Sequence, residues 1–360
     1  MKKSNLRQFI AAGLALASWI AAPNLPAAVQ LFIEGGSASS TVLFDRATNV
    51  LNDPNTAITV YGANNSAVRT YVGKSTNSAL SGYGTITIDF NLNGAVAGLQ
   101  NLVNQQTDTN ILGSSYIPVL VDSATSPEAV NLSATAAHLK ALPTYVVPLV
   151  YIKNTNSADT AGITNLTQRQ AWSLENTYPP LPATYYGGTS TNPIYFVGRN
   201  LEAAVRTEID LAIYNTETIS TYYTNALGQP VLDISADPGQ QFAGALANTV
   251  LVLTNSIGTI AVQNLKKGLA PLAYEGVPYS VTNLENGSYP LWGYENYYYI
   301  NTSYAGAPTA AQLAVINALY QSVTNASFQN INNPVFTNNF IPNSALKVYR
   351  NFDGGQIFPN

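Results

Sequence analysis

An α/β fold follows from three features of the chain. Strand-like runs alternate with amphipathic helical runs, short turns of small polar residues join each strand to its helix, and a dense β-branched and aromatic run sits mid-chain. The first strand–turn–helix unit is Leu31-Phe32-Ile33, the turn Gly35 to Ser40, and Leu43, Ala47, Val50 and Leu51 at helical spacing, stopped by Asn52-Asp53-Pro54. The second runs from the alternating stretch Thr85 to Phe90 through Asn91-Leu92-Asn93-Gly94 to Val96, Leu99, Leu102 and Val103. The third is Ile194 to Val197, the turn Gly198-Arg199-Asn200, then Val205, Ile209, Ala212 and Ile213.

Between the second and third units, Tyr145 to Ile152 predicts a central strand. Thr249 to Thr254 and Ile257 to Val262 predict two further strands. Tyrosine favours strands, so Gly293 to Ile300 is expected to be one rather than a sugar-stacking platform. Thr309 is a candidate N-cap for a helix over Ala310 to Val323, and the Asn- and Pro-rich tail beyond Phe328 is expected to be mostly surface loop.

Composition narrows the function. Of 360 residues, 46% are hydrophobic but only 9% charged, and Asn, Thr, Ser, Gln and 23 tyrosines supply the polarity. That charge content is well below the ~25% of ordinary soluble domains. Past the N-terminus no basic run exceeds Lys266-Lys267, which excludes the phosphate-neutralising stripes of a nucleic-acid binder. The absence of cysteine excludes disulfides, thiolate metal sites and a lipoprotein cysteine. A single histidine, His138, excludes a multi-histidine zinc site, and no Gly-x-Ser-x-Gly nucleophile motif accompanies it. No cofactor is expected, and hydrolysis ranks last among the function classes.

Residues 1–28 are expected to be a signal peptide. Lys2, Lys3 and Arg7 precede an apolar stretch from Phe9 to Ala22, Pro23 breaks it, and Ala27-Ala28 supplies small residues for cleavage. The stretch is shorter than the ~20 residues that span a bilayer. Its removal takes away three basic residues and no acidic one, leaving a net charge of −7. A periplasmic or secreted location follows as the expectation.

Turns of this kind suit anions. The first N–H groups of a helix have no internal partner, the helix dipole adds partial positive charge, and hydroxyls add donors. Gly35-Gly36-Ser37-Ala38-Ser39-Ser40 has this chemistry in full.

Taken in order, these stretches resemble the phosphate-binding family of periplasmic binding proteins. Gly35-Gly36-Ser37-Ala38 stands at that family's opening anion turn and Asn93-Gly94 at its second. Val121 to Ala129 is similar to the segment before the lobe crossing, Val146 to Asn154 to the crossing strand, and Asn165-Leu166-Thr167 with the following Gln168 to Trp172 to the next helix. Val197-Gly198-Arg199-Asn200 with Val205-Arg206 resembles the family's valine-glycine-arginine … serine-glycine-threonine-arginine motif. Ser256 to Ile260, Leu269 to Val277 and Asn286-Gly287-Ser288-Tyr289-Pro290 complete the likeness from about residue 31 to 300.

The resemblance implies a two-lobed type II periplasmic-binding-protein fold, with mixed sheets flanked by helices and crossing strands between the lobes. Lobe I would comprise 29–145 and 270–360, and lobe II 146–269. It also implies a non-enzymatic protein that captures a small anionic solute, phosphate or another oxyanion, between its lobes for an ABC transporter permease. Ser37, Ala38, Ser39, Asn93, Gly94, Asp122 and Ser123 would meet Arg206 across the cleft, with Arg199 behind it.

The third turn departs from the family: Ala203-Ala204-Val205 replaces the hydroxyl-bearing residues, and Glu202 adds a negative charge. A hydrogen bond to a charged ligand contributes ~1.5–3 kcal/mol, so two lost donors cost roughly 3–6 kcal/mol, more than a hundredfold in affinity. A secreted or surface structural protein that keeps the fold without a transport ligand is therefore the alternative.

Overall fold

A computed structural model describes residues 28–360 apart from 64–65, 133–136, 331 and 337–338. The signal-peptide expectation falls on 1–28 and so lies, except for Ala28, outside the described residues.

Among the described residues, eleven strands form one mixed sheet. They are β1 (Val29–Gly35), β2 (Thr59–Tyr61), β3 (Val68–Gly73), β4 (Ile86–Asn91), β5 (Leu120–Ser123), β6 (Leu139–Asn154), β7 (Tyr195–Val197), β8 (Ser256–Ala261), β9 (Leu269–Pro271), β10 (Trp292–Ile300) and β11 (Ile341–Pro342). The order is β7-β8-β6-β10-β5-β1-β4-β3-β2, with β9 and β11 also paired to β6. Pairing is parallel for β1 with β4 and β5 and for β7 with β8, and antiparallel elsewhere. The parallel β1–β4 pair has its crossover through α1 (Ser40–Val50), as a parallel pair requires.

β6 positions everything else. Its 16 residues pair with β10 along the N-terminal part and with β8 and β9 along the C-terminal part, so one strand belongs to both halves of the sheet. Tyr145 to Ile152 is buried throughout, which explains the unbroken β-branched and aromatic run there. This is the two-lobed arrangement with a crossing strand.

The helices bury the faces that the sequence marks. Val42, Leu43, Ala47 and Val50 of α1, and Ala95, Val96, Gly98, Leu99 and Leu102 of α2 (Ala95–Asn104), are buried. The capping box of α3 (Gln168–Asn176) uses Thr167 and Gln170. Ala204, Val205 and Ile209 anchor α4 (Ala204–Ala212). The expected strand over Thr249 to Thr254 is instead the end of α5 (Ala243–Val252) and the residues after it. Ala243, Leu246, Ala247 and Val250 recur at helical spacing and are buried, and that burial overrides the β-branched preference of Thr249, Val250 and Val252. After the short α6 (Val281–Glu285), α7 (Ala310–Thr324) starts at Thr309 as expected and packs on α1 and β1.

The tail is more than a surface wrap. Phe328, Phe336, Phe340 and Ile341 are buried, and Tyr145 packs edge-on against Phe336 and Phe340. Arg350 lies 4.0 Å over the Trp292 ring and donates to the Trp292 and Pro290 carbonyls. Tyr297, Tyr298 and Tyr299 of β10 are buried, as a strand rather than an open aromatic platform requires. His138 is exposed and stacked on Tyr304. No helix among the described residues is long and apolar enough to cross a membrane.

Candidate inter-lobe solute site

Among the described residues, two spaces lie between the segment 29–145 and the segment 146–269, and they differ by more than an order of magnitude in size. The inner one has a volume of about 20 Å³ and is lined by Gly36, Ser37, Ala38, Gly94, Ala95, Ala124, Val147, Arg199, Ala203, Ala204, Val205 and Glu295. It is the point where the three expected turns meet. A void of this size holds about one water molecule and no tetrahedral oxyanion.

Its closure has identifiable causes. Glu202 stands at the start of α2, where its carbonyl accepts the Val96 N–H at 3.1 Å, so a backbone oxygen of segment 146–269 occupies one of the helix-start donors. Gly94, the N-cap of α2, permits that approach: a Cβ there would come within 2.9 Å of the Glu202 Cβ. The apolar side chains of Ala203, Ala204 and Val205 fill the remaining wall. Gln263 Nε2 donates to the Ser37 carbonyl at 3.1 Å and ties the two segments together a little further out.

The two expected arginines are held by carbonyls of their own segment. Arg199 donates from Nε to the Gln240 carbonyl at 2.9 Å and from Nη2 to the Gln241 carbonyl at 2.8 Å. It still lines the inner void, and burial lowers its pKa to about 10. Arg206 does not face Ser37, contrary to expectation. It sits in the first turn of α4, where Nε meets Asp210 one turn on at 3.3 Å and Nη1 reaches the Pro238 carbonyl at 3.2 Å. The segment 233–241 thus clamps both. Gly239, at φ +125°, makes the clamp possible, because a Cβ there would lie 2.4 Å from the Arg199 backbone. Asp233 accepts the Gly239 N–H, and Asp237 accepts from Leu201 and Asn200, which fixes the clamp at both ends.

Three more expected site residues lie in the core. Ser39 and Asp122 are fully buried and line neither space, and Ser123 Oγ donates to the Thr125 carbonyl at 2.9 Å. Asp122 joins Glu295, Ser39, Tyr145 and Tyr297 in a buried polar cluster behind the inner void. Burial raises the Asp122 carboxyl to about 7, and burial followed by the Asp122 charge raises Glu295 well above the usual carboxylate range. At least one of the two carboxyls is therefore neutral at moderate pH, the opposite of a ready ligand acceptor.

The outer space is an open groove of about 670 Å³. Segment 29–145 contributes Ser37, Ser40 and Thr41 at the start of α1, Phe44 one turn later, Ser66 to Arg69 leading into β3, and Asn93. Segment 146–269 contributes Phe242, Ala243 and Gly244 at the start of α5, together with Asn264. Helix starts from opposite segments therefore do face one gap, but the second helix is α5 rather than α4. No side chain caps α5, whose N-cap is Phe242. Of the expected site residues, Ser37 and Asn93 line this groove, while Ser37, Ala38, Gly94 and Arg199 line the inner void. Sequence reasoning missed Phe44, Arg69, Phe242 and Gly244. The available sign was the spacing of Ala243, Leu246, Ala247 and Val250, which marks a helix and hence a helix start.

The architecture is that of the type II periplasmic binding proteins: two α/β lobes, a crossing strand and a cleft between them. Among solved structures, the chain is similar in fold to a phosphate ABC transporter substrate-binding protein with bound phosphate from Clostridium perfringens. The TM-score is 0.57 at 14% identity, covering 87% of this chain and 99% of that one. An ABC-type phosphate transport receptor from Vibrio cholerae gives a TM-score of 0.52 at 12% identity, covering 83% and 95%. No protein-family model matches the chain, and comparison with curated proteins gives no match.

Proposed function

We propose that this chain is an exported, non-enzymatic solute-binding protein that captures a small anion between its lobes and presents it to an ABC transporter permease. The observation that carries the reading is the outer groove, where the starts of α1 and α5 face one gap from opposite segments and, among the described residues, no carboxylate lines the space. The fold supports it, since the similar proteins from Clostridium perfringens and Vibrio cholerae are phosphate-transport binding proteins. The proposed lobes are 29–145 with 270–360, and 146–269; β9 pairs with β6 where the chain passes back between them. The proposed leader is 1–28, and its removal gives a periplasmic or secreted protein. Of the expected ligand residues we retain Ser37 and Asn93 as direct contacts. Ala38, Gly94 and Arg199 shape the wall behind them. Capture then proceeds by hinge closure, with no bond made or broken.

Titration calorimetry of the chain beginning at residue 29 tests this, using phosphate, sulfate and a set of organic phosphates and carboxylates. Saturable binding of at least one anion is expected. Silence across the whole set overturns solute capture and favours a second reading, a surface or secreted protein that keeps the fold without a transport ligand. The observation behind that second reading is the closed inner void, with both arginines bound to carbonyls of their own lobe.

A further inference from the structure

The groove has properties that a bare tetrahedral anion does not use. Its volume of about 670 Å³ falls in the range of sites for small organic molecules, roughly 300–1,000 Å³. Phe44 lines it from one lobe and Phe242 from the other, and Phe242 is 40% exposed although it is a large apolar side chain at a helix start. Phe44 is half-buried against Tyr71 and Phe90, so the exposed Phe242 ring supplies most of the area for a ligand body.

The charge in the groove is equally specific. Among the described residues, Arg69 is its one charged lining residue. Its guanidinium stacks 4.3 Å from the Phe44 ring centre, Nε donates to the Ala63 carbonyl at 3.1 Å, and Nη1 donates to the Tyr71 hydroxyl at 3.3 Å. Among the described residues, no carboxylate forms an ion pair with it. A positioned guanidinium that meets only neutral acceptors retains donors and an unbalanced charge for an oxyanion. Hydroxyls of Ser40, Thr41 and Ser66 and the amides of Asn93 and Asn264 surround the same space.

We infer that the groove takes an organic oxyanion, with a phosphate or carboxylate head held by Arg69 and the helix starts and a ring-sized body lying along Phe44 and Phe242. This deepens the anion-capture reading and rests on it. Inorganic phosphate would fill a small part of the space and leave the Phe242 ring in water.

Calorimetry with four probes tests the inference: phenyl phosphate, benzoate, inorganic phosphate and phenol. Phenyl phosphate or benzoate is expected to bind at least tenfold more tightly than either inorganic phosphate or phenol, and which of the two does so identifies the head group. Arg69→Gln and Phe242→Ser are each expected to weaken that ligand at least tenfold, with thermal melts confirming that both variants fold. Should Arg69→Gln fail to fold, Arg69→Lys serves instead, since it keeps the charge and loses the planar fork. Inorganic phosphate binding as tightly as both organic anions overturns the inference while leaving anion capture standing. Phenol binding as tightly as the anions overturns it as well, as does a Phe242→Ser protein with undiminished affinity. No binding of any probe, and none across the wider anion set, removes both readings together.

Discussion

Gly94 shows how one missing methyl group sets the distance between the lobes. Its extended backbone, φ −169°, would accept any residue, so the requirement is purely one of space against Glu202. Gly94→Ala places a Cβ 2.9 Å from the Glu202 Cβ, and either the 200–204 turn retreats or α2 shifts. The Val96–Glu202 hydrogen bond is then lost, and overpacking of this kind costs about 1–3 kcal/mol. Denaturant unfolding should show that loss, and adding Glu202→Gly to Gly94→Ala should recover most of it. An additive double variant would mean that the two positions do not meet. At this scale the sequence was readable only in part. Ser37 and Asn93 could be placed from their turns, whereas the fate of Arg199 and Arg206 depended on carbonyls at Pro238, Gln240 and Gln241, 32 to 42 positions away. Backbone acceptors carry no residue code, so nothing in the composition of 233–241 announced them.

Among the helices, legibility followed the strength of the local code. α7 begins with a full capping box, in which Thr309 Oγ1 accepts the Gln312 N–H at 3.2 Å and Gln312 Oε1 accepts the Thr309 N–H at 3.0 Å. A start of this kind is local chemistry and can be read from four residues. Thr309→Ala should cost about 1 kcal/mol, measured as a shift of the urea midpoint at unchanged slope. A shift indistinguishable from zero would show that packing on α1 and β1 alone sets this helix end. α5 lacks such a code. Its N-cap is Phe242, its first turn holds no acid, and its C-terminal half is rich in residues that prefer strands. Only the sheet it packs against decides its state, and misreading it hid half of the outer groove.

For the whole molecule, buried acids set the pH response. Burial raises Asp122 to about 7 and Glu34 to about 8, and holds Glu175, Glu208 and Glu295 well above the ordinary carboxylate range. In the unfolded chain these groups lose their protons near pH 4. Between about pH 4 and 8 the folded protein therefore binds more protons than the unfolded one, and stability falls as pH rises. Thermal melts should give a higher midpoint at pH 5 than at pH 8, and Asp122→Asn with Glu295→Gln should flatten the dependence. A midpoint that rises with pH across this window would show that these carboxyls are ionised in the fold. The order of strands and helices was legible because each unit carries its own period and turn. The cleft was less so, because its shape is a sum of packing from both lobes.

β6 runs without a break through both halves of the sheet, pairing with β10 at one end and with β8 and β9 at the other. Relative movement of the lobes must therefore bend a continuous ribbon rather than swivel on a loose joint. Such a ribbon stores elastic energy when flexed and returns it on release. On the proposed capture reading, a solute drawing the lobes together would work against this restoring force, and the same force would help to eject it once its hold is broken.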